Sequence, residues 1–439
     1  MSIITETLHG TRACVNSPRY AVPGNNDFIF DGSSNGKQTN FVFNDENMSR
    51  GLLCIGGTGS GKTNTIKTLV KQIKRKMTDK DVMLIFDTKG DYYQSFFEPD
   101  TDTVIGTASQ YARNTVSWNI FNEVTADGCY DEAVKINISE ICRSITKRYA
   151  SAQQPFFINA ARNILEMYLL SLIIYHRDNI CSVDLYNRTV VEFFRRATLE
   201  QYNDLADAFP EFNSLHLYIG EGDNPQALGV LAELQVVINE VFFGDVFGGF
   251  GDFSIRNFVR NKGGHTLFIE YDLANGETTS HLYGLLIDLA IKEALSRQHS
   301  EGNVYIIIDE FALLPNLTHI TDALNFGRGL GTHIVAGLQS MAQLYQTYGK
   351  DKALSIAAGF SSMFAFRPND YLTAEYEKKF FGENYLNETT VVSGTPFMQR
   401  RNGSTVEDWE LRQLKRGEAF ISIIDEIPFK FKFDKYTEY

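Results

Sequence analysis

Short apolar runs alternate along the chain with longer stretches that have helical spacing. GLLCI, Gly51 to Ile55, runs straight into a glycine-rich turn, and helical spacing follows from Asn64. Apolar runs of this kind are typical of central parallel strands, and their alternation with helices is typical of an α/β fold. We therefore predict an α/β fold with a predominantly parallel sheet. The other strand candidates are DFIF (27–30), TNFVFN (39–44), VMLIFD (82–87), DTVIG (102–106), HTLFIEYD (265–272), NVYIIIDE (303–310), THIVAGL (332–338), SMFAFR (362–367), EAFISII (418–424) and FKFKF (429–433).

The middle of the chain has a different pattern, because helical spacing dominates there. Three long helical patterns lie at 131–150, 159–176 and 228–243. The glycine-rich run Gly244 to Phe253 closes this block, and we expect it to be a loop. The division that follows has a first part of the α/β domain over 1–127, an inserted all-α domain over 128–256 and the second part of the α/β domain over 257–439.

Composition limits the class of protein. The 439 residues carry a net charge of −13, which argues against a surface that binds DNA nonspecifically all over, although a local basic surface is compatible with it. The five cysteines form no CxxC pattern, so a reducing cytosol is expected rather than a disulfide framework.

The most apolar run, Met167 to Tyr175, has nine residues. A bilayer span needs about 20, so we predict a buried helix and a chain that is soluble by itself.

One glycine-rich stretch matches the phosphate-loop pattern GxxxxGK[ST] in full. GGTGSGKT, Gly56 to Thr63, follows an apolar strand and opens a helix, which is the context that the pattern requires. Glycines let the backbone curl so that its N–H groups point at phosphate oxygens. Lys62 would reach the β- and γ-phosphates of ATP, and the Thr63 hydroxyl would bind Mg²⁺. The predicted ATP-binding residues are Gly56, Gly57, Thr58, Gly59, Ser60, Gly61, Lys62, Thr63 and Asn64.

Basic side chains continue along the same helix. Two interpretations stay open for them, a solvated helix face or a basic surface that faces DNA or an anionic neighbour. The residues are Lys67, Lys71, Lys74, Arg75 and Lys76.

A second apolar strand ends in two acidic residues, which is a Walker B pattern. In VYIIIDEF, Val304 to Phe311, Asp309 would hold Mg²⁺ and Glu310 would polarise the attacking water as general base. The two acids favour hydrolysis over binding alone. Another strand, VMLIFD, also has an acidic end, and Asp87 and Lys89 are expected at the carboxyl edge of the sheet. Spacing alone leaves a ligand contact and a structural turn equally open for them.

The stretch GRGLGTHIVAGLQS places an arginine before a predicted strand and a glutamine after it. The strand THIVAGL should lie beside the Walker B strand, so that Gln339 could hydrogen-bond the γ-phosphate or its water from within the same subunit. Arg328 precedes the strand and would project elsewhere. It could complete the charge stabilisation at a neighbour's phosphate, or it could form a surface ion pair.

Taken together, several motifs resemble the type IV secretion coupling proteins, the TraD/TraG conjugation ATPases, which are relatives of the FtsK/HerA translocases. The resemblance covers roughly residues 50 to 437 and is carried most specifically by DEFALLP with GRG…QSMAQLYQTYG. The other motifs are GGTGSGKT, FDTKGDY and the closing LRQLKRGEAFISIIDEIP.

The resemblance implies a RecA-like P-loop NTPase core with an inserted all-α domain, and a ring, usually hexameric, with ATP sites between subunits. It implies pumping of DNA, single-stranded and bound to a relaxase, towards a type IV secretion channel. By motif position Arg328 corresponds to the family's arginine finger and Gln339 to its sensor glutamine. Most members begin with membrane-spanning helices, and no such segment is predicted here. A cytoplasmic location, peripheral at the inner face of the membrane and dependent on partners, is therefore expected.

Two other functions stay open at this stage. One is an FtsK/HerA-type DNA translocase outside conjugation. The other is an ATP-binding scaffold that recruits protein substrates, which the acidic net charge favours slightly. Glu310, Arg328 and Gln339 argue against an inactive scaffold.

Overall fold

The computed structural model describes residues 3–14, 23–129, 131–149, 155–180, 182–220, 225–296, 301–315, 317–392 and 395–437. Strands are numbered in chain order: β1 (Ile3–His9), β2 (Phe28–Ser34), β3 (Lys37–Phe43), β4 (Leu52–Ile55), β5 (Val82–Asp87), β6 (Thr103–Gly106), β7 (Thr266–Glu270), β8 (Val304–Ile308), β9 (Thr332–Leu338), β10 (Ser362–Phe366), β11 (Glu383–Val392), β12 (Thr395–Ser404), β13 (Glu418–Ser422) and β14 (Phe429–Phe433).

Helices are numbered in the same way: α1 (Asp45–Ser49), α2 (Lys62–Lys76), α3 (Asp91–Phe96), α4 (Ile120–Val124), α5 (Asp131–Thr146), α6 (Pro155–Arg177), α7 (Asn187–Arg196), α8 (Leu199–Ala208), α9 (His216–Ile219), α10 (Pro225–Val241), α11 (Gly244–Gly248), α12 (Ile255–Asn261), α13 (Gly276–Leu295), α14 (Ile320–Phe326), α15 (Met341–Tyr348), α16 (Lys350–Ala358), α17 (Tyr371–Phe381) and α18 (Asp408–Arg412).

Eleven of the described strands form one mixed sheet in the order β3-β2-β14-β13-β10-β4-β9-β8-β5-β7-β6. Every pairing from β10 to β6 is parallel, and the pairings from β10 out to β3 are antiparallel. The prediction of an α/β fold with a predominantly parallel sheet is confirmed. Because β4, β9 and β8 are adjacent and parallel, the loops that follow them emerge side by side at one edge.

The central strands are apolar throughout because both faces of the sheet are covered. On β5, Leu84 and Phe86 pack into one core layer, whereas Met83 and Ile85 pack into the other. The first layer includes residues of the helical middle of the chain, and the second includes the inner face of α2. Such double burial explains why these strands do not alternate apolar and polar residues.

The described regular structure between α4 and α12 is helical, as the spacing of apolar residues indicates. The domain boundaries at residues 127 and 256 stay a prediction. The expectation of a loop over Gly244 to Phe253 is wrong for its first part, because Gly244–Gly248 forms the short helix α11.

The apolar run Met167–Tyr175 lies within α6, whose 23 residues extend well beyond it at the amino end. By length and composition alone α6 could cross a membrane, with a mean hydropathy of 1.4 over its most apolar window. However, 67% of that window is buried inside the protein, as in the core helix of a folded domain.

Cys14, Cys54, Cys129 and Cys142 are free thiols, and Cys181 lies outside the described residues.

A second, three-stranded antiparallel sheet was not predicted from the sequence. It has the order β1-β11-β12 and joins the beginning of the chain to residues almost 400 positions later, such as Ile3 to Thr390. The strand β12 carries consecutive exposed residues, Phe397 and Met398 among them, so it lacks the alternation that a half-buried strand shows.

Candidate nucleotide-binding site

The phosphate loop connects β4 to α2 at the carboxyl edge of the sheet. The backbone of Gly61 has a φ of 123°, a conformation that favours glycine, immediately before α2 begins at Lys62. The backbone N–H groups of Gly56 and Gly57 donate to the carbonyls of Leu338 (3.0 Å) and Arg367 (2.8 Å). The first two glycines therefore anchor the loop to β9 and to the end of β10.

The other seven predicted ATP-binding residues, Thr58 to Asn64, line a cavity of about 670 Å³. Across the cavity lie Asp309, Glu310 and Gln339, the acidic and amide side chains that the sequence assigned to the same site. The fold thus brings together residues that are more than 240 positions apart in the chain.

Lys62 is buried beneath the loop. Its ammonium group donates to the carbonyl oxygens of Gly56 (2.6 Å) and Gly57 (3.3 Å). Burial lowers the pKa of Lys62, and the nearby carboxylates of Glu310 and Asp309 oppose that shift. An ammonium group beside the phosphate loop is suited to bind phosphate oxygens.

The hydroxyl of Thr63 faces the carboxylate of Asp309, at 3.3 and 3.1 Å from its two oxygens. The phenol of Tyr92 donates to the same carboxylate at 3.0 Å. Burial raises the pKa of Asp309, and the hydrogen bonds from Tyr92 and Thr63 work against that rise. Thr63 and Asp309 are therefore adjacent oxygen donors at the start of α2 and the end of β8.

The Thr63 hydroxyl and the Asp309 carboxylate suit Mg²⁺ better than a metal ion whose ligands all come from the protein. Among the described residues there is no group of three or more His, Cys, Asp or Glu that could hold a metal ion. Mg²⁺ is commonly bound through one or two protein oxygens, with substrate phosphates and waters completing its shell. The donor set of Thr63 and Asp309 has that character.

Glu310 and Gln339 form a connected pair at the side of the cavity. The Gln339 amide nitrogen donates to a carboxylate oxygen of Glu310, and its amide oxygen accepts from the Thr58 hydroxyl at 2.9 Å. The other carboxylate oxygen of Glu310 is buried and has no hydrogen-bond partner among the described residues. Burial raises the pKa of Glu310 to about 7. Gln339 thus joins the phosphate loop to the carboxylate that the sequence suggests as general base.

Arg328 lies apart from this cluster. It stands in the turn before β9, whereas Gln339 follows the same strand, and β9 has seven residues. At about 3.3 Å per residue the two ends of the strand are about 20 Å apart, which exceeds the reach of a side chain. Arg328 is half exposed and pairs with Glu46 at 3.1 Å. The structure therefore does not bring Arg328 to the phosphate loop of its own chain.

The acidic end of β5 serves as a structural turn in this state. The Asp87 carboxylate accepts from the backbone N–H groups of Thr88 (2.7 Å), Lys89 (3.1 Å) and Tyr92 (2.9 Å). Burial raises the pKa of Asp87. Thr88 and Lys89 still line the cavity, as their place at the sheet edge indicates.

Sequence reasoning missed two contributors to the site. One is Tyr92, whose place in FDTKGDY, five residues after Asp87, is the signal that could have suggested it. The other is the carboxyl-terminal segment, of which Arg416–Gly417 and Lys432–Lys435 line the cavity. Arg416 and Gly417 lie in the closing motif LRQLKRGEAFISIIDEIP, to which the sequence analysis gave no role in the site. No motif marks Lys432–Lys435, which reach the site only through the antiparallel strands β13 and β14.

The basic side chains of α2 contact their own chain. Lys67 donates to Ser95 at 3.0 Å, Lys71 donates to the carbonyl of Thr437 at 2.8 Å, and Lys74 pairs with the buried carboxylate of Asp102. Lys67, Lys71 and Lys74 are half-buried, whereas Arg75 and Lys76 are exposed, so a solvated face and a surface for DNA both stay predictions.

A phosphate loop, an apposed Walker B strand and a mostly parallel sheet define a RecA-like P-loop NTPase fold. The sequence matches, over residues 40–431, the family described as type IV secretion-system coupling protein DNA-binding domain, and the chain belongs to that family. The resemblance stated from the motifs is confirmed.

Individual relatives agree with this assignment. Coupling protein TraD of Escherichia coli (strain K12) is 22% identical over 372 residues, which are 82% of this chain and 48% of TraD. The chain thus spans about half the length of that relative. The conjugative coupling protein TrwBdeltaN70 superposes with a TM-score of 0.73 at 23% identity, and the match covers 90% of this chain and 88% of the TrwBdeltaN70 chain. TrwB in complex with ADP and Mg²⁺ gives a TM-score of 0.70 at 22% identity, and the match covers 90% of this chain and 87% of that TrwB chain. These likenesses show a shared fold.

Proposed function

We propose that this chain is the motor part of a type IV secretion coupling protein, which hydrolyses ATP with Mg²⁺ and drives DNA towards a secretion channel. The observation that carries the proposal is the contact between Thr63 and Asp309, beside which Glu310 and Gln339 form a hydrogen-bonded pair. Membership of the coupling protein family supports the cargo and the system. The TrwB complex with ADP and Mg²⁺ supports the ligands.

In this proposal each residue has one task. Lys62 and the loop of Thr58 to Ser60 hold the phosphates, while Thr63 and Asp309 hold Mg²⁺, which would neutralise charge on the phosphates when bound. Glu310 accepts the proton of a water whose oxygen attacks the γ-phosphorus, and the bond from that phosphorus to the β–γ bridging oxygen breaks, so that ADP and phosphate leave. Gln339 orients Glu310 and the water from the same subunit.

Arg328 acts in trans in this scheme. Its place at the opposite end of β9 from Gln339 leaves it available to a neighbouring copy, and the resemblance to ring-forming motors points to a hexamer. An arginine that enters a neighbour's site is worth about 10³ to 10⁵ in rate in other phosphoryl-transfer systems. In this proposal the predicted α/β domain is the motor, and residues 128–256 are the part that engages cargo.

The proposed partners are single-stranded DNA bound to a relaxase, channel components and further copies of the chain. The proposed location is the cytoplasmic face of the inner membrane, reached through partners.

The test is ATP hydrolysis as a function of protein concentration, with and without single- and double-stranded DNA. We expect a rate that rises with protein concentration and with DNA, and that is lost in Glu310→Gln while binding of ATP is retained. Lys62→Ala should lose binding itself. A rate that is independent of both DNA and protein concentration would contradict the proposal and would favour a scaffold that recruits protein. Equal rates in wild type and Glu310→Gln would also contradict the proposal.

A further inference from the structure

The cavity at the phosphate loop has a second wall, which comes from the carboxyl-terminal part of the chain. The backbone N–H of Gly417 donates to the carbonyl of Ser60 at 2.7 Å, and the N–H of Phe433 donates to the carbonyl of Gly417 at 2.8 Å. The Asn64 amide donates to the carbonyl of Asp434 at 2.9 Å. The wall is therefore attached both to the loop and to the first turn of α2.

The turn that carries Arg416 packs directly on the phosphate loop. A side chain on Gly61 would place its Cβ 3.0 Å from the Cα of Gly417, so the two backbones meet with no side chain between them. Gly417 has a φ of 79°, which also favours glycine. This close contact, together with the hydrogen bonds of Gly417 to Ser60 and Phe433, fixes the backbone of Arg416 beside the phosphate loop.

Three cations project from this wall, Arg416, Lys432 and Lys435. All three are exposed, and within the described residues none of them has a carboxylate within ion-pair distance. The carboxylate of Asp434 is engaged by the Gln38 amide at 2.8 Å. Although the carboxylates of Asp309, Glu310 and Asp434 line the same cavity, positive charges that form no ion pair favour an anionic ligand.

Arg416 is the cation nearest in the chain to the loop contact. Besides the main cavity it lines a smaller one of about 160 Å³ at the tip of the phosphate loop, together with Thr58, Gly59 and Ser60. Its guanidinium can donate to two oxygens of one phosphate group, which a lysine cannot do with the same geometry.

We propose that Arg416 binds the phosphate chain of the nucleotide together with Lys62, so that the carboxyl-terminal segment is the second half of the nucleotide site. This inference rests on the proposed function. The same guanidinium could instead meet a DNA phosphate, since the chemistry of recognition is shared, and the experiment separates the two sources.

The experiment measures binding of a Mg²⁺ complex of the non-hydrolysable β,γ-imido analogue of ATP, and of AMP, to the full chain without DNA. We expect Arg416→Ala to weaken binding of the triphosphate analogue roughly tenfold or more and to leave AMP binding nearly unchanged. Arg416→Lys should restore part of the loss. Lys415→Ala is the matched control, because Lys415 is exposed on the same turn and lines only the smaller cavity.

The outcomes separate the inference from the function on which it rests. If wild type does not bind the analogue, the proposed function fails. If wild type and Arg416→Ala bind it equally well, the inference is wrong. If Arg416→Ala loses only its stimulation by DNA, with unchanged nucleotide affinity, the arginine contacts DNA and the inference is wrong as well. Thermal unfolding of each variant should match wild type, since the Arg416 side chain is exposed and has no ion pair in the described residues.

Discussion

The phenol of Tyr92 donates a hydrogen bond of 3.0 Å to the carboxylate of Asp309. Tyr92 lies on α3 and is fully buried, and Asp309 directly follows β8. A hydrogen bond to an ionised carboxylate favours the ionised form, which burial disfavours. Tyr92 therefore keeps Asp309 oriented towards Thr63 and helps it to hold a cation.

Tyr92→Phe should weaken the Mg²⁺ site without unfolding the protein. A hydrogen bond to a charged group is worth about 1.5–3 kcal/mol, so we expect the Mg²⁺ concentration for half-maximal ATP hydrolysis to rise roughly tenfold. Tyr93→Phe is the control, because the Tyr93 hydroxyl accepts from Asn114 near the surface. An unchanged Mg²⁺ dependence in Tyr92→Phe would show that Asp309 needs no such support.

The separation of Arg328 from its own site leads to a subunit-mixing prediction. Glu310→Gln and Arg328→Ala should each be nearly inactive alone. Mixed in equal amounts, they should regain activity, because an Arg328→Ala subunit keeps Glu310 and can receive Arg328 from a Glu310→Gln neighbour. ATP hydrolysis of the mixture measures this effect, and a double variant mixed with Arg328→Ala is the control. A mixture as inactive as its components would argue that Arg328 does not act in trans.

The buried carboxyl group of Glu270 should make the stability of the folded protein depend on pH. It ends β7, its carboxylate accepts from the Tyr111 hydroxyl at 2.6 Å, and burial raises its pKa to about 8, with the charge of Asp87 adding to the rise. Since the folded pKa lies above the unfolded one, the stability that Glu270 contributes is complete at low pH and is lost as the pH rises through about 8.

Glu270→Gln keeps an acceptor for Tyr111 and cannot ionise. We expect the variant to gain stability relative to wild type between pH 6 and pH 9, on the order of a few kcal/mol, as measured by urea unfolding. Glu200→Gln, at an exposed position, should show no such divergence from wild type. Parallel pH dependence in wild type and Glu270→Gln would mean that Glu270 is already ionised in the folded protein.

Arg256 stabilises the region where the helical block returns to the sheet. It is 4% exposed and donates to Glu293 (3.1 Å), Asp127 (2.7 Å) and the carbonyl of Glu123 (3.2 Å). Arg256→Leu should destabilise the protein by about 3–5 kcal/mol, because the carboxylates lose a buried partner. Arg188→Leu breaks the exposed pair with Glu192 and should cost about 0–1 kcal/mol. Comparable losses in the two variants by denaturant unfolding would contradict this difference.

Local patterns predicted most of the α/β core. The predicted bounds of the strand Val82–Asp87 agree with the structure at both ends. A strand covered on both faces is apolar throughout and is bounded by polar residues, so its ends are easy to recognise. The phosphate loop and the Asp309–Glu310 pair were found from motifs whose spacing follows from their chemistry. The sheet of β1, β11 and β12 was missed, because β12 carries consecutive exposed residues and β1 pairs with a strand almost 400 positions away in the chain.

Periodicity and short motifs are sufficient to predict the fold class, the family and the identity of the phosphate loop and Walker B residues. The three-dimensional arrangement of the strands was needed to see that Gln339 joins Thr58 to Glu310, that Tyr92 supports Asp309 and that Arg328 lies at the far end of β9. It alone also brought Arg416 and the residues after β13 to the phosphate loop. Contacts of this kind depend on the order and direction of strands in the sheet, which no local pattern of residues encodes.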